Sequence, residues 1–218
     1  MHTRFNGTIK PWTMKDEVMP NKKTVVQTNS TPGSVKDVPL KAVTFAELWA
    51  NYPGGNPYDN PAYKNQCAIR LSVTPHRVGI GMKSFSSRLV RPSSGQPTIG
   101  RIILGGYATA TRADEMGQWL KLQPFAGLPK AEDITGPEWR TKIEGRTGIV
   151  QFSRYWTRDG ESDDSASGGH IDLWNGSKLT SPSVQGGINT FLRFTMGVSS
   201  AWYSDLGKSK QILFWAIK

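Results

Sequence analysis

The sequence predicts an α+β fold in which helices come first and an antiparallel sheet follows. Helix-start patterns lie in the first two thirds of the chain, and the later segments read as short strands. Gly (23) and Pro (14) make up about a sixth of the 218 residues, and 37% of residues are hydrophobic. This composition is typical of a loop-rich domain with a modest core and disfavours a helical bundle.

Residues 1–42 are predicted to form a flexible arm, and residues 43–218 to form one domain. The stretch between Lys22 and Lys36 is rich in Thr, Ser, Asn and Pro and has no sustained helical or strand periodicity. The arm is interpreted as an export address or as a loose wrap over the domain.

The first predicted helix begins at Thr44, because Thr44 and Glu47 form a capping-box pattern. It ends near the Pro53-Gly54-Gly55 turn. A loop rich in Asn, Pro and Tyr leads to Cys67, which has polar residues before it and apolar residues after it. A second helix is therefore expected to begin near the cysteine.

Two further helices and three strands complete the prediction. Met116, Trp119 and Leu120 have the i, i+3, i+4 spacing of a helix face after Asp114, and Pro137 suits an early helical position. The predicted strands cover residues 148–152, 170–174 and 211–217, and Asn175-Gly176 predicts a hairpin turn after the second.

The charge of the chain indicates an anionic partner. Lys and Arg number 27 and Asp and Glu 17, so the net charge is +10. Nucleic acid, anionic lipid and acidic wall polymer all fit this charge, but the basic residues are scattered, with no run of five.

Neither a secretory signal nor a membrane-spanning stretch is recognised in the sequence. The first 12 residues lack the apolar core of a secretory signal, and no apolar stretch approaches a membrane span. The protein is expected to be made in the cytoplasm and exported by other machinery, without membrane insertion.

Cys67 is the single cysteine, which excludes an intramolecular disulfide and a multi-cysteine zinc site. One interpretation is that Cys67 is a buried cysteine without a chemical role. A helix N-terminus, however, stabilises a thiolate, which is the attacking form. Asn65 and Gln66, together with the Cys67 backbone N–H, are candidate donors to an oxyanion.

His170 is the candidate acid–base partner of Cys67, because it follows the cysteine by about a hundred residues on a predicted strand. Strand alternation places His170, Asp172 and Trp174 on one face. His2 lies in the arm, and His76 is too near Cys67 in sequence, so both are less favoured. Cysteine on a helix followed by histidine on a strand is the papain-like order.

Two segments carry a family resemblance: residues 65–72 (NQCAIRLS) and residues 169–177 (GHIDLWNGS). Together, in this order, they resemble the type VI secretion amidase effectors of family four, over about residues 43–218. The resemblance implies an NlpC-like papain fold and an antibacterial cysteine amidase of peptidoglycan stem peptides. It also implies cleavage between D-glutamate and meso-diaminopimelate, a dedicated immunity protein, and action in the periplasm of a target cell after type VI export.

The third member of the catalytic group is open at the sequence level. The family places an acid about eleven positions after the histidine, where this chain has Ser181. A serine cannot stabilise an imidazolium as a carboxylate does. Asp172 is the nearest alternative, and Asn175 and Asp205 are others.

Aromatic residues and one acidic loop are further candidate sites. Trp174 is predicted to meet substrate, whereas Trp119, Trp139 and Phe214 are expected in the core. The acidic stretch 159–164 lacks the spacing of a calcium loop and is interpreted as a solvated loop. No metal and no cofactor are expected.

Two other functions are compatible with the same observations. A papain-like transferase or deamidase acting on proteins would need the same Cys67–His170 pair. A basic binding module for nucleic acid or wall polymer would leave Cys67 buried and inert. The amidase interpretation is preferred, with no nucleic acid as partner.

Overall fold

A computed structural model gives the structure of residues 23–27, 29, 31–156, 168–180 and 206–218. Within these ranges the larger helices precede the main sheet, which confirms the predicted α+β order. The helices are α1 (Phe45–Asn51), α2 (Cys67–Arg77), α3 (Ala113–Lys121) and α4 (Trp139–Ile143). The strands are β1 (Lys23–Gln27), β2 (Val35–Pro39), β3 (Arg101–Leu104), β4 (Tyr107–Ala110), β5 (Glu132–Asp133), β6 (Thr147–Trp156), β7 (Gly168–Asn175) and β8 (Gln211–Ala216).

The capping box predicted for α1 is present. The Glu47 carboxylate accepts from the Thr44 backbone N–H at 2.8 Å, and the Thr44 hydroxyl accepts from the Glu47 N–H at 3.3 Å. The helix ends with Tyr52 as its C-cap. Local residue chemistry therefore fixes the start of this helix.

The main sheet has four antiparallel strands in the order β5-β8-β6-β7. Strand β7 is the last strand in this order and pairs with β6, so that Phe152 lies opposite His170 and Val150 opposite Asp172. The outer side of β7 is the side on which the candidate site is built.

The sheet separates two apolar cores, as strand alternation requires. Ile171 and Leu173 of β7 belong to the core that α2 and α3 share with the sheet, where Trp119 is fully buried. Trp174 belongs to the second core, which contains Trp139 and Ile143 of α4. The core positions predicted for Trp119, Trp139 and Phe214 are confirmed.

Two hairpins differ from the sequence-based expectation. Strands β1 and β2 pair within the stretch expected to be an irregular arm, because Thr24, Val25 and Val26 favour extended backbone. Strands β3 and β4 pair across Gly105 and Gly106, whose φ angles of 59° and 83° suit the tight turn between them. Among the described residues, no helix has the length and apolar character needed to cross a membrane.

Candidate active site

Cys67 is the first residue of α2, where the leading N–H groups of a helix have no partner within the helix. The cysteine is 8% exposed and lines an open cleft together with Asn65, Asp114 and Gly169. Cys67 is thus mostly buried and still borders a cleft. A sulfur sealed inside the apolar core would lack this access.

The loop before Cys67 is held by Gln66. The Gln66 side-chain amide accepts from the Tyr58 N–H at 3.2 Å and donates to the Tyr58 carbonyl at 2.6 Å. Gln66 is 2% exposed. The predicted role of Gln66 as an oxyanion donor is therefore corrected, because its amide anchors the loop. Asn65 is exposed and lines the cleft, as an oxyanion donor would need to do.

His170 lies beside Cys67, and their side chains are hydrogen-bonded. The Ile171 backbone N–H also donates to the Cys67 sulfur, from the outer side of β7. The imidazole is further packed against Phe152, with 6.4 Å between ring centroids. Residues separated by about a hundred positions are brought together because α2 packs along the outer strand of the sheet.

Asp172 also lies beside the imidazole. Its Oδ2 lies 3.4 Å from His170 Nε2, and its side chain is 4% exposed. The Leu173 N–H donates to Oδ1 at 2.8 Å, and the Thr180 hydroxyl donates to the same atom. A buried carboxylate held by several donors is fixed in position and stays ready to stabilise a charged imidazole.

The Tyr52 hydroxyl adds a further contact to Asp172 and Thr180. Burial and the charge of Asp172 raise the pKa of Tyr52, so this hydroxyl keeps its proton. Nothing in the local sequence around Tyr52 or Thr180 signals this role, since both reach Asp172 only through the tertiary fold.

The electrostatics of the site favour a thiolate facing an imidazolium. Burial disfavours the Cys67 thiolate, but its hydrogen bond with His170, the charge of that ring and the Ile171 N–H together lower the thiol pKa. Burial likewise opposes charge on His170, yet hydrogen bonds with Asp172 and Cys67 raise the pKa of the imidazole to about 9. A low-pKa thiol beside a high-pKa imidazole is the arrangement that activates a sulfur nucleophile.

One wall of the cleft is a loop of residues 91–100, which we call the anchored loop. Glu115 of α3 is fully buried and accepts from the Ser93 N–H at 2.9 Å and the Gly100 N–H at 2.5 Å. Arg112 forms an ion pair with Glu115 at 2.9 Å and donates to the Thr98 carbonyl. No local sequence signal marks this arrangement, because the loop partners of Glu115 and Arg112 lie 14, 15 and 22 residues away along the chain.

The lack of a side chain at Gly169 allows α3 to lie close to β7. A Cβ at this position would lie 3.1 Å from the Phe152 carbonyl oxygen and 3.4 Å from both Ala113 Cβ and Asp114 Oδ1. The absence of a side chain therefore lets the start of α3 form the cleft wall beside Cys67.

Trp174 is the clearest error among the predicted site residues. It is 0% exposed, its ring packs edge-on against Trp139 at 5.7 Å, and its indole N–H donates to the Ile143 carbonyl at 2.9 Å. The prediction that Trp174 meets substrate is wrong, because α4 covers the strand face on which it lies.

The remaining candidates have other places in the molecule. The Asn175 side chain accepts from the Ser177 and Lys178 N–H groups and so serves the hairpin turn. His76 stacks on Tyr107 at 4.9 Å, away from the cleft residues. His2, Ser181, Asp205 and the acidic stretch 159–164 lie outside the described residues.

The site as a whole has the papain-like order, with cysteine at a helix start and histidine on a later strand. The model of the family named type VI secretion system (T6SS), amidase effector protein 4 (Tae4) matches residues 63–215 of the chain. The chain belongs to the Tae4 family. It is accordingly an amidase effector of type VI secretion and a peptidoglycan hydrolase, as the resemblance implied.

Several solved Tae4 structures are similar to the chain. Tae4 of the Tae4–Tai4 effector–immunity complex from Salmonella Typhimurium is 16% identical, with 81% of this chain and 99% of that chain covered and a TM-score of 0.46. Tae4 from Enterobacter cloacae is also 16% identical, covering 82% and 99%, with a TM-score of 0.45. The Tae4–Tai4 complex from Enterobacter cloacae gives 18% identity, 81% and 99% coverage, and a TM-score of 0.45. Among curated proteins no match is found.

Proposed function

We propose that the chain hydrolyses the amide bond between D-glutamate and meso-diaminopimelate in peptidoglycan stem peptides, with Cys67 as nucleophile and His170 as acid and base. The observation that carries the proposal is the hydrogen-bonded Cys67–His170 pair on an open cleft. Membership of the Tae4 family supports the substrate class.

The reaction proceeds in two steps. The Cys67 thiolate attacks the amide carbonyl carbon, the C–N bond breaks, and His170 gives its proton to the departing amine. Water then attacks the thioester while His170 takes a proton from it, and the C–S bond breaks to release a carboxylate and the free cysteine. Asp172 holds the imidazole and offsets its positive charge.

The negative charge that develops on the carbonyl oxygen needs donors near the start of α2. The Cys67 backbone N–H is the first donor, since the opening N–H groups of a helix lack internal partners. The Asn65 side chain is the second, because it lines the same cleft. Gln66 supports both indirectly by holding the loop.

Digestion of purified diaminopimelate-type sacculi tests the proposal. Mass spectrometry of the products is expected to show stem peptides cut after D-glutamate with new free amino groups. Cys67→Ala is expected to lose at least about a thousandfold in rate while keeping its melting temperature. Cleavage that persists in Cys67→Ala would refute the mechanism, and a cut at another bond would refute the bond assignment. Ammonia release without new amino groups would favour a deamidase.

The cellular setting extends the same proposal. The effector acts in the periplasm of a target cell, and a dedicated immunity protein neutralises it. Periplasmic expression is expected to lyse cells with the natural chain and to spare cells with Cys67→Ala. Cells that survive periplasmic expression of the active chain would contradict this setting.

A further inference from the structure

A second cavity adjoins the cleft at Cys67. Ser93, Ser94 and Asp114 line both the Cys67 cleft and this second cavity, which also has Arg154 and Lys210 on its wall. A substrate held at Cys67 can therefore extend into the second cavity without leaving the protein surface.

Asp114 presents a fixed carboxylate to both cavities. Its Oδ1 accepts from Gln151 Nε2 at 2.9 Å and from the Ser153 hydroxyl at 2.8 Å. Within the described part of the chain, no hydrogen bond to Oδ2 is found, and none of the ion pairs involves Asp114. Gly117 of α3 is part of this arrangement, because a Cβ there would collide with the Gln151 amide.

Arg154 supplies a cation on the wall of the same cavity. The pairing of β6 with β7 shifts register between Phe152 and Trp156, and Arg154 lies inside this irregular stretch. Its φ angle is 56°, a left-handed conformation that residues other than glycine adopt rarely. Bulges near binding sites commonly redirect a side chain, and this one leaves Arg154 exposed.

The chemistry of the second cavity is that of a receptor for a zwitterion. A half-buried carboxylate suits an ammonium group, and an arginine fork suits a carboxylate. These two opposite charges line one cavity and form no ion pair with each other. A ligand end that carries an ammonium and a carboxylate on the same carbon would satisfy both.

We infer that the second cavity binds the zwitterionic end of a diaminopimelate side chain, with Asp114 on its ammonium and Arg154 on its carboxylate. The inference rests on the proposed function, because it concerns the residue next to the amide bond proposed to be cleaved. It explains how the enzyme would select one class of peptidoglycan. A lysine in the same position has the ammonium but no carboxylate.

Three soluble tetrapeptide stems test the inference: one with diaminopimelate, one with its free side-chain carboxylate amidated, and one with lysine. The value of kcat/KM is measured for the natural chain, Arg154→Gln and Asp114→Asn. Arg88→Gln is the matched control, since Arg88 is exposed and lies outside both cavities. Thermal unfolding of each variant establishes that it is folded.

The natural chain is expected to favour the diaminopimelate stem over the other two by about tenfold or more, as the loss of a charged hydrogen bond implies. Arg154→Gln is expected to lose that preference and to leave the other two rates unchanged. Asp114→Asn is expected to slow all three, because each keeps the ammonium. Arg88→Gln is expected to match the natural chain.

Two outcomes would overturn the inference. Arg154→Gln with an unchanged preference would show that Arg154 does not bind the carboxylate, and an equal loss on all three stems would show a general effect. Failure of the proposed function is distinguishable, since a folded natural chain would then cleave none of the stems.

Discussion

At the scale of single residues, the acid–base chemistry of His170 depends on the Asp172 carboxylate and on the donors that hydrogen-bond to it. The Leu173 N–H and the Thr180 hydroxyl bind Oδ1, and His170 lies against Oδ2. The negative charge of a carboxylate held there favours a positive imidazole beside it. That charge is one of the causes that raise the pKa of His170 to about 9.

Replacing Asp172 by asparagine is expected to narrow the pH range of activity. The thiolate–imidazolium pair persists until His170 loses its proton, so the alkaline limb of kcat/KM in the natural chain is expected near pH 9. Asp172→Asn removes the charge that raises this pKa, and the limb moves to lower pH. The rate at neutral pH is expected to fall by about tenfold, because the amide oxygen still accepts a hydrogen bond.

The measurement is a pH profile of stem-peptide cleavage from about pH 5 to about pH 10. The pKa values read from its limbs describe the coupled Cys67–His170 pair and not one residue alone. Glu144→Gln is the control, since Glu144 is exposed at the end of α4. An alkaline limb that stays in place in Asp172→Asn would show that Asp172 does not act on His170.

Trp174 offers a residue-scale test of a core role against a substrate role. Trp174→Phe removes part of a buried ring and one of the two donors to the Ile143 carbonyl, which also accepts from the Arg146 N–H at 3.0 Å. The free energy of unfolding is expected to fall by about 1–3 kcal/mol. The value of kcat/KM per folded molecule is expected to stay the same. A loss of kcat/KM with an unchanged free energy of unfolding would instead indicate that Trp174 contacts substrate.

At the scale of elements, the site depends on the outer side of β7. The Ile171 N–H binds the Cys67 sulfur, and the Leu173 carbonyl accepts from the Thr180 N–H at 3.1 Å. Exposed strand edges tend to pair with other chains, and here these groups are occupied. The same hydrogen bonds thus cover the edge of the sheet and build the site.

The anchored loop is the element whose loss is expected to affect substrate binding most. Glu115→Gln removes a buried charge that holds Ser93, Gly100 and Arg112. We expect a loss of about 1–3 kcal/mol in the free energy of unfolding, together with a raised KM, since the loop forms one cleft wall. Urea unfolding and steady-state kinetics measure the two effects.

The matched control for this loop is Glu138→Gln, because Glu138 is exposed and far from the cleft residues. An unchanged KM in a destabilised Glu115→Gln would mean that the loop supports the fold without shaping the cleft.

Local patterns predicted several elements because their causes are local. The Thr44–Glu47 capping box lies within one helical turn, and the Asn175-Gly176 turn needs only its own side chain and a positive φ at Gly176. The helix start at Cys67 followed from the change from polar to apolar residues. Each of these was confirmed.

The incorrect predictions concern residues whose environment is determined by tertiary contacts. Alternation placed Trp174 on the face of His170, but only the packing of α4 determines that this part of the face is buried. The partners of Glu115 in the anchored loop, Gly100 and Ser93, lie 15 and 22 residues away, beyond any local pattern. Gly105-Gly106 between two apolar runs is a local hairpin signal, so the β3–β4 hairpin is a feature that sequence can predict.

At the scale of the whole molecule, the charge of +10 is expected to matter for an insoluble anionic substrate. Raising the salt from about 0.05 M to about 0.3 M is expected to slow digestion of intact sacculi severalfold. Cleavage of a small soluble stem peptide is expected to change little. Turbidity loss of sacculi and chromatography of the peptide give the two rates, and an equal salt response of both would contradict a role for the overall charge.

The placement of the chain's single thiol at the start of α2, opening onto the cleft, has a practical consequence. A thiol-directed electrophile has one position to modify, and at about pH 6 the lowered pKa of the Cys67 thiol makes the folded site react faster than the thiol of an unfolded chain. The mass gained per chain in a short reaction at that pH then gives the competent fraction of a preparation. Rates from different variants can thereby be placed on a common scale before they are compared.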